Sequence, residues 1–535
     1  MICDLNDYED NATIATEICI VGAGVAGLTI AREFLGEGRE VLILESGGKK
    51  DESRTQRLYE SDVAGMPHEG VHNGRFRIFG GSSTRWGAQL MTFESLDFSD
   101  RAYVGCDAWP ISFQTVCDYY RRAEDVLSVN SLSYEEDLWS GFKAKPLEFD
   151  RRKLKYRFSK WASFKNRNLA KSIGADCASS RNVTVLLHAN LMEVIPRPNG
   201  TAVSHLRIRS LSGREAKVEA KRYVICCGAI ETARLLLASN SVMPGGVGND
   251  RDMVGRYFQD HISVRAARLD PGERARFTAT FDPFVRASTM HSCKVAMSEE
   301  MQRQNRCLNV MGHVVYGFTE ESGLYELRKI LRAVQSRRNP IPSPMGAWRI
   351  LRYSSDIFRM VFGQFLARRR LSPKFAKCHL DIECEQAPSR DSRVFLSTEK
   401  DELGMPRTVL DWRITDLEKH SVQQYIKVFR SEWERMGLGV AKWEESIFDP
   451  GNKWWDVCRD TYHHAGTTRM SSDPGQGVVD ANLRVHGFDN LYIGSTSVFP
   501  SSSCANPTLT MMALCIRLAD HWKAQESVIG TGAGV

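Results

Sequence analysis

Two adjacent histidines, His463 and His464, lie in the run TYHHAGTTRM, and Asn506 follows His463 by 43 residues within SSSCANPTLT. An imidazole titrates near neutral pH and suits the movement of a proton. A neutral amide can hydrogen-bond a substrate oxygen without competing for that proton. His464 would point elsewhere in an extended segment. These groups need a frame. Asn506 as a cap and Pro507 as the first helical residue would open the apolar helix that follows. Its N-terminus offers unpaired N–H groups and partial positive charge, so an anion, or a group that becomes anionic during a reaction, suits that place.

The N-terminal end supplies a partner. Thr16–Val21 is a short apolar strand, followed at once by Gly22-Ala23-Gly24-Val25-Ala26-Gly27, a helix over Leu28–Leu35 and a second strand over Glu40–Leu44. This βαβ unit carries the GxGxxG spacing of a dinucleotide fingerprint: a tight turn, close approach of a pyrophosphate, and close helix packing. Glu45 ends the second strand 23 residues after Gly22, where a carboxylate can accept both hydroxyls of an unphosphorylated ribose. NADP is thereby disfavoured, while FAD and NAD both remain open. A second glycine- and serine-rich run, Gly80-Gly81-Ser82-Ser83-Thr84-Arg85-Trp86-Gly87, could offer further N–H groups to a large ligand.

A chain of 535 residues is long for one core, and two domains are expected. Hydrophobic and charged contents of 42% and 25% are those of a globular protein, and a net charge of +6 gives no case for nucleic-acid binding. Met1–Thr16 lacks a basic and an apolar region, no run is long and apolar enough to span a bilayer, and the expected location is cytoplasmic. The 14 cysteines are scattered without CxxC or metal-ligand spacing, so they read as reduced thiols, and no metal is expected. Tyr325–Arg370 differs from the rest. It holds eleven Arg and Lys residues, Arg328, Arg332, Arg337, Arg338 and Arg359 among them, against Glu326 and Asp356, interleaved with residues such as Trp348, Leu351 and Phe358. Such a segment could pack on its own domain, narrow an entrance, dock a partner or touch an anionic membrane peripherally. Pro340, Pro342 and Pro344 would divide it into a hairpin.

Taken together, the fingerprint, GGSSTRWG, VICCGAIETARLLLAS (Val224–Ser239), VGRYFQDH (Val254–His261) and the block Thr461–His521 resemble the glucose–methanol–choline (GMC) family of FAD-dependent oxidoreductases. The stretch 262–453 matches weakly apart from HLDIECEQAPSRDSRVFLS (His379–Ser397), which is similar to the sugar-oxidising branch of fructose dehydrogenases and pyranose oxidases. The Asn at 506 points the same way, since many other members carry a second His there.

The resemblance implies an α/β fold: a Rossmann-like FAD-binding domain from residues 14–93, 181–261 and 457–525, and a discontinuous α+β substrate domain from 94–180 and 262–456 with the basic insertion at 325–370. Alternating apolar residues in Lys377–Cys384 and Arg393–Leu396 read as strands of an antiparallel sheet roofing the flavin; Glu385 and Gln386 between them could approach substrate or equally serve a turn or the surface. It implies FAD held by Gly22, Gly24, Val25, Ala26 and Gly27, with Glu45 and Ser46 at the adenosine ribose. Gly80, Gly81, Ser82, Ser83, Arg85 and Trp86 would follow the flavin, and Leu191, in Ala189–Leu191, would flank the adenine. Gly228 and Ala229 would close the nucleotide strand, Ser495 would lie near the pyrophosphate, and Thr508 and Leu509 would set a helix N-terminus against the pyrimidine ring. His463 would be the base and Asn506 its partner, with Arg469 bracing the loop. Some pyranose oxidases bind FAD through a His in GGxSTHW; here Arg85 takes that place, so non-covalent FAD is expected.

The implied reaction is oxidation of a secondary hydroxyl of a sugar, glycoside or polyol, with dehydrogenase favoured over oxidase. A sterol, terpene or aryl alcohol, or a lyase keeping FAD as structure, stay open. The electron acceptor, whether quinone, electron-transfer protein or O2, is not specified.

Overall fold

The computed structural model describes residues 1–140, 146–317, 325–327, 329–330, 333, 341–355, 357–358, 368–372 and 376–532. An eight-stranded sheet holds the fingerprint. Its order is Ile2–Asp4, Val183–Leu187, Val41–Leu44, Ala12–Val21, Glu215–Ile225, Val203–Arg209, Asn190–Pro196, with Leu491–Ile493 also on Glu215–Ile225. The central pairs are parallel, Ile18 opposite Val41 and Val41 opposite Val183. Val41–Leu44 is buried at every position, as a strand covered on both faces must be.

The fingerprint helix is Val25–Arg32, so it begins directly at the glycine turn and ends before Leu35. A Cβ on Gly27 would sit 2.0 Å from the Gly22 carbonyl oxygen, which is why helix and turn can touch only through glycine. The C-terminal helix, Thr508–Gly532, packs on it, with Trp522 stacked on Phe34 at 6.2 Å.

The second sheet has nine strands in the order Gly439–Trp443, Ile262–Pro271, Lys377–Cys384, Val310–Gly317, Thr289–Met297, Leu154–Trp161, Gln89–Leu90, with Phe284–Arg286 and Cys458–Asp460 beside them. Its pairs are antiparallel, so one face can be apolar and the other polar. The apolar face packs on the helix Asp416–Arg435 through Val422, Tyr425, Ile426 and Phe429, and the Tyr425 hydroxyl donates to the Val295 carbonyl at 2.7 Å. The register puts Lys294 opposite Arg157, His313 opposite Asp381 and Met311 opposite Glu383 on the other face.

Two expectations are corrected. Arg393–Lys400 is not part of this sheet; it forms a separate three-stranded sheet with Pro406–Asp411 and Ser61–Val63. The cause lies just before it, where Glu385 and Gln386 turn inward to buried partners and take the chain out of the roof. Asn506 does not cap the last helix, which starts at Thr508; its amide turns to His463 instead.

Of the basic stretch, the described part includes the helix Pro344–Arg352, capped by Ser343. Arg328, Arg332, Arg337, Arg338, Pro340, Arg359 and the proposed hairpin halves around them lie outside the described residues. Among the described residues no helix is long and apolar enough to cross a membrane.

Candidate active site

One cavity is walled by both ends of the chain. Gly22, Gly24, Val25 and Ala26 line it together with Glu45, Ser46, Gly81, Ser82, Leu191 and Gly228, and with Ser495, Thr508 and His463 from the C-terminal block. Other predicted residues stand behind that wall. Gly27 packs the helix and Gly80 takes a left-handed turn. The Ser83 hydroxyl bridges the Gly80 carbonyl and the Leu169 N–H, the Trp86 indole donates to the Arg167 carbonyl at 2.7 Å, and Leu509 is fully buried. Arg85 pairs with exposed Asp51 and lies over the Phe76 ring. Tyr59, Arg75 and Arg77 were not anticipated. They also line the cavity, and both guanidinium groups lie 4.3 Å from the Tyr59 ring centre.

At the fingerprint end, Glu45 is 5% exposed and accepts from the Ala23 N–H (3.0 Å), the Gly47 N–H (2.9 Å) and the Ser46 hydroxyl (3.3 Å). Burial outweighs these donors and pushes its carboxyl up to about 7. A carboxylate has about four acceptor positions, so with three filled, room remains for about one more hydroxyl donor.

At the other end, His463 and Asn506 meet: the Asn506 amide nitrogen is 3.3 Å from His463 Nε2. The turn that delivers His463 needs Gly466 (φ +89°), because a Cβ there would lie 2.0 Å from the Tyr257 carbonyl oxygen. His463 Nδ1 faces the Thr461 hydroxyl at 3.0 Å and His261 Nδ1 at 3.0 Å. Burial, reinforced by His261, pushes the His463 imidazole down to about 4, so it is neutral at ordinary pH.

Asp260 organises this corner. One carboxylate oxygen accepts the backbone N–H groups of His261 (2.7 Å) and His463 (2.9 Å) and the Thr461 hydroxyl (3.1 Å); the other accepts His68 Nε2 at 3.1 Å. Burial would raise its pKa, but the His68 bond and the surrounding imidazoles hold it far below the ordinary carboxylate range. His464 also lines the cavity; its Nε2 is 3.7 Å from Asp260 and has no hydrogen-bond partner, and burial pushes the ring down to about 3. His68, Asp260 and His464 do not form a cation site. His68 Nδ1 accepts the Val71 N–H and its Nε2 donates to Asp260, which leaves no lone pair for a metal.

Sequence reasoning found His463 and Asn506 but gave no role to Asp260, His261, Thr461 or His68. The DH of VGRYFQDH was legible as a motif, but nothing local says that it folds onto a histidine 202 residues later. Glu385 and Gln386 are not substrate groups. Glu385 forms a fully buried bidentate pair with Arg101 (2.6 and 2.8 Å) and accepts the N–H groups of Asn309 and Ser503, both at 3.1 Å. Gln386 accepts the Asp260 N–H and the Trp412 indole. Arg469 lies over the Tyr257 ring and reaches Asp107, as a brace would.

The arrangement is one cavity that runs from the glycine turn to a neutral imidazole. The GMC oxidoreductase family matches this chain at residues 165–263 and again at 388–515, N- and C-terminal parts in order. The chain belongs to the GMC oxidoreductase family. It is 24% identical to 6'''-hydroxyparomomycin C oxidase of Streptomyces lividus, over 96% of this chain and 92% of that one. It is 22% identical to the fructose dehydrogenase large subunit of Gluconobacter japonicus, over 95% and 98%. In fold it resembles the crystal structure of formate oxidase (TM-score 0.59, 16% identity, covering 97% of this chain and 100% of that chain).

As a GMC oxidoreductase the protein acts on CH–OH donors, its substrate is a small-molecule alcohol, and its cofactor is FAD. The residues present fit that group. Gly24 leaves the space of a Cβ open, Glu45 waits for hydroxyl donors, and Asn506 Oδ1 and His464 Nε2 are buried without partners at the reacting end.

Proposed function

We propose that this GMC oxidoreductase oxidises a secondary hydroxyl of a sugar, glycoside or polyol to a ketone. The observation that carries the substrate class is the polar face of the nine-stranded sheet beside His463. Lys294 is ion-paired to Glu383 there, His313 Nδ1 is buried without a partner, and Ser159, Ser292 and Gln89 form a hydrogen-bonded row. Against burial that would raise it, Lys294 and His313 hold the Glu383 carboxyl far below its usual range, and His463 feels the Glu383 and Lys294 charges. A roof of fixed donors and acceptors suits a polyhydroxylated substrate; a sterol or terpene would leave His313 Nδ1 without a partner, at a cost of about 1–3 kcal/mol.

FAD, when bound, supplies the hydride acceptor. His463 Nε2 takes the hydroxyl proton, the Asn506 amide holds the same oxygen, and Asp260 fixes the backbone beneath the base. Thr508, in the first turn of the last helix, lines the cavity, and that helix N-terminus would stabilise negative charge developing on a cofactor bound there. The two relatives named above, an aminoglycoside oxidase and a fructose dehydrogenase by name, support a sugar-like substrate. Residues 14–93, 181–261 and 457–525 form the cofactor domain in this reading, with the substrate domain from 94–180 and 262–456. FAD is held non-covalently, because Arg85 offers no nucleophile and is paired to Asp51.

A peripheral membrane contact, and with it a dehydrogenase passing electrons to a membrane acceptor, draws support from exposed Met345, Trp348 and Leu351, spaced along one helix with Arg349 and Arg352. Co-sedimentation with anionic but not neutral vesicles is expected, and no sedimentation with either removes this contact.

Anaerobic mixing with sugars, glycosides and plain alcohols tests the main reading. Flavin absorbance should bleach with a polyhydroxylated substrate, and slow recolouring in air would mark a dehydrogenase. Bleaching only by monohydroxy alcohols would refute the sugar class, and substrate turnover without bleaching would point to a lyase.

A further inference from the structure

His463 can serve as a base only through a nitrogen that carries no proton, and hydrogen-bond partners decide which nitrogen that is. His261 is fully buried, and its Nε2 faces the Ser502 backbone carbonyl at 3.2 Å. A carbonyl only accepts, so this nitrogen carries the proton of a neutral ring, and burial keeps the ring neutral. His261 Nδ1 is therefore a bare acceptor. It stands 3.0 Å from His463 Nδ1, and two bare nitrogens cannot face each other at that distance without a proton between them.

The Thr461 hydroxyl adds a second acceptor at the same nitrogen, because its own hydrogen is directed to ionised Asp260. The other tautomer has a ready alternative of its own. Were the proton on His463 Nε2, the unpartnered Asn506 Oδ1 could accept it after the amide turned over. The choice is therefore made on the far side of the ring.

We propose that His261, oriented by the Ser502 carbonyl, is a positioning residue that locks His463 as its Nδ1–H tautomer, leaving Nε2 bare towards the substrate. This rests on the reading of His463 as the base. When the substrate O–H bond breaks, its proton forms the Nε2–H bond. The resulting imidazolium keeps Nδ1–H donated to His261, so the ring need not rotate. Ser502 lies four residues before Asn506, so one loop sets both the tautomer and the substrate's amide partner.

The test reads protonation directly. Long-range 1H–15N correlation spectra of the flavoprotein labelled at histidine nitrogens, with signals assigned by their loss in His463→Gln and His261→Asn, distinguish protonated from bare ring nitrogens. The wild type should show His463 with Nδ1 protonated and Nε2 bare, and His261 with Nε2 protonated. A proton on His463 Nε2, or on His261 Nδ1, overturns the proposal whatever the variants do. His261→Asn, whose amide oxygen can replace the lost acceptor, should keep the His463 tautomer, while His261→Leu should show mixed tautomers and flavin reduction about tenfold slower. An unchanged single tautomer in a folded His261→Leu would also overturn it. Normal flavin reduction in His463→Ala, with the tautomers as stated, would instead refute the base and leave the lock standing.

Discussion

Two buried carboxylates serve opposite ends of the site, and their surroundings set them to opposite states. Glu45 meets two backbone N–H groups and a hydroxyl, with Arg77 contributing only at a distance, and burial carries it to about 7. Asp260 meets two backbone N–H groups, a hydroxyl and the His68 ring, with His464 and His463 alongside, and stays ionised. The count of near donors differs little; what differs is the cluster of imidazoles around the second. Asp260 is a lasting charge that fixes the backbone of His261 and His463, and Glu45 is one that a hydroxyl donor would tip towards ionisation.

A third carboxylate gives the largest expected effect. Glu385 is compensated by a full guanidinium, so Glu385→Ala leaves Arg101 buried and unpaired, and should destabilise the protein by about 3–5 kcal/mol in denaturant titration. A loss under about 1 kcal/mol would show that the pair is solvated. Next, His463→Ala should slow flavin reduction by at least ~10² while FAD stays bound, so the catalytic end fails alone; equal loss of cofactor would mean that the two ends are not separable.

At the Glu45 end the effect depends on pH. Hydroxyl donors favour the ionised carboxylate, so FAD affinity should rise with pH, by up to about tenfold per unit, until about 7, and then level off. Glu45→Gln should bind weakly with a flat profile, as release of FAD fluorescence would report. The sign reverses for stability without cofactor. A raised carboxyl pKa favours the folded chain at low pH, and that advantage is lost between about 4.5 and 7. The smallest effect belongs to His463. With its pKa near 4, flavin reduction should vary little between about pH 6 and 9 and fall only towards about 4; a midpoint near 6.5 would mean that burial does not act on this ring.

What was legible in the sequence was local. The glycine turn and the strand-ending Glu45 follow from spacing within a short segment, and the pairing of His463 with Asn506 from the family resemblance; the structure brings the turn, Glu45 and His463 to one cavity, with the Asn506 amide 3.3 Å from His463. Asp260 and His261 were hidden because their meaning depends on a turn some 200 residues away. Glu385 could be read as a substrate group or a turn residue, and not as half of a buried pair, because its guanidinium partner stands 284 residues earlier. Arg393–Leu396 has the alternation of a roof strand, but alternation carries no information about which sheet accepts it. Arg85 sits in a cofactor motif yet faces outward, because Asp51 and Phe76 offer its guanidinium closer partners.

The Arg101–Glu385 pair also bears on the order in which the protein is made. Glu385 holds Arg101 and the N–H of Asn309, both earlier in the chain, and the N–H of Ser503 from its last segment. A growing chain emerges from its N-terminus, so Arg101 and Glu385 can meet while the loop bearing Ser502 and Asn506 has yet to be synthesised. That loop then closes onto an acceptor already in place. An unfinished polypeptide that stops short of that loop would contain His463 and the fingerprint, yet lack the amide beside His463 and the carbonyl that faces His261.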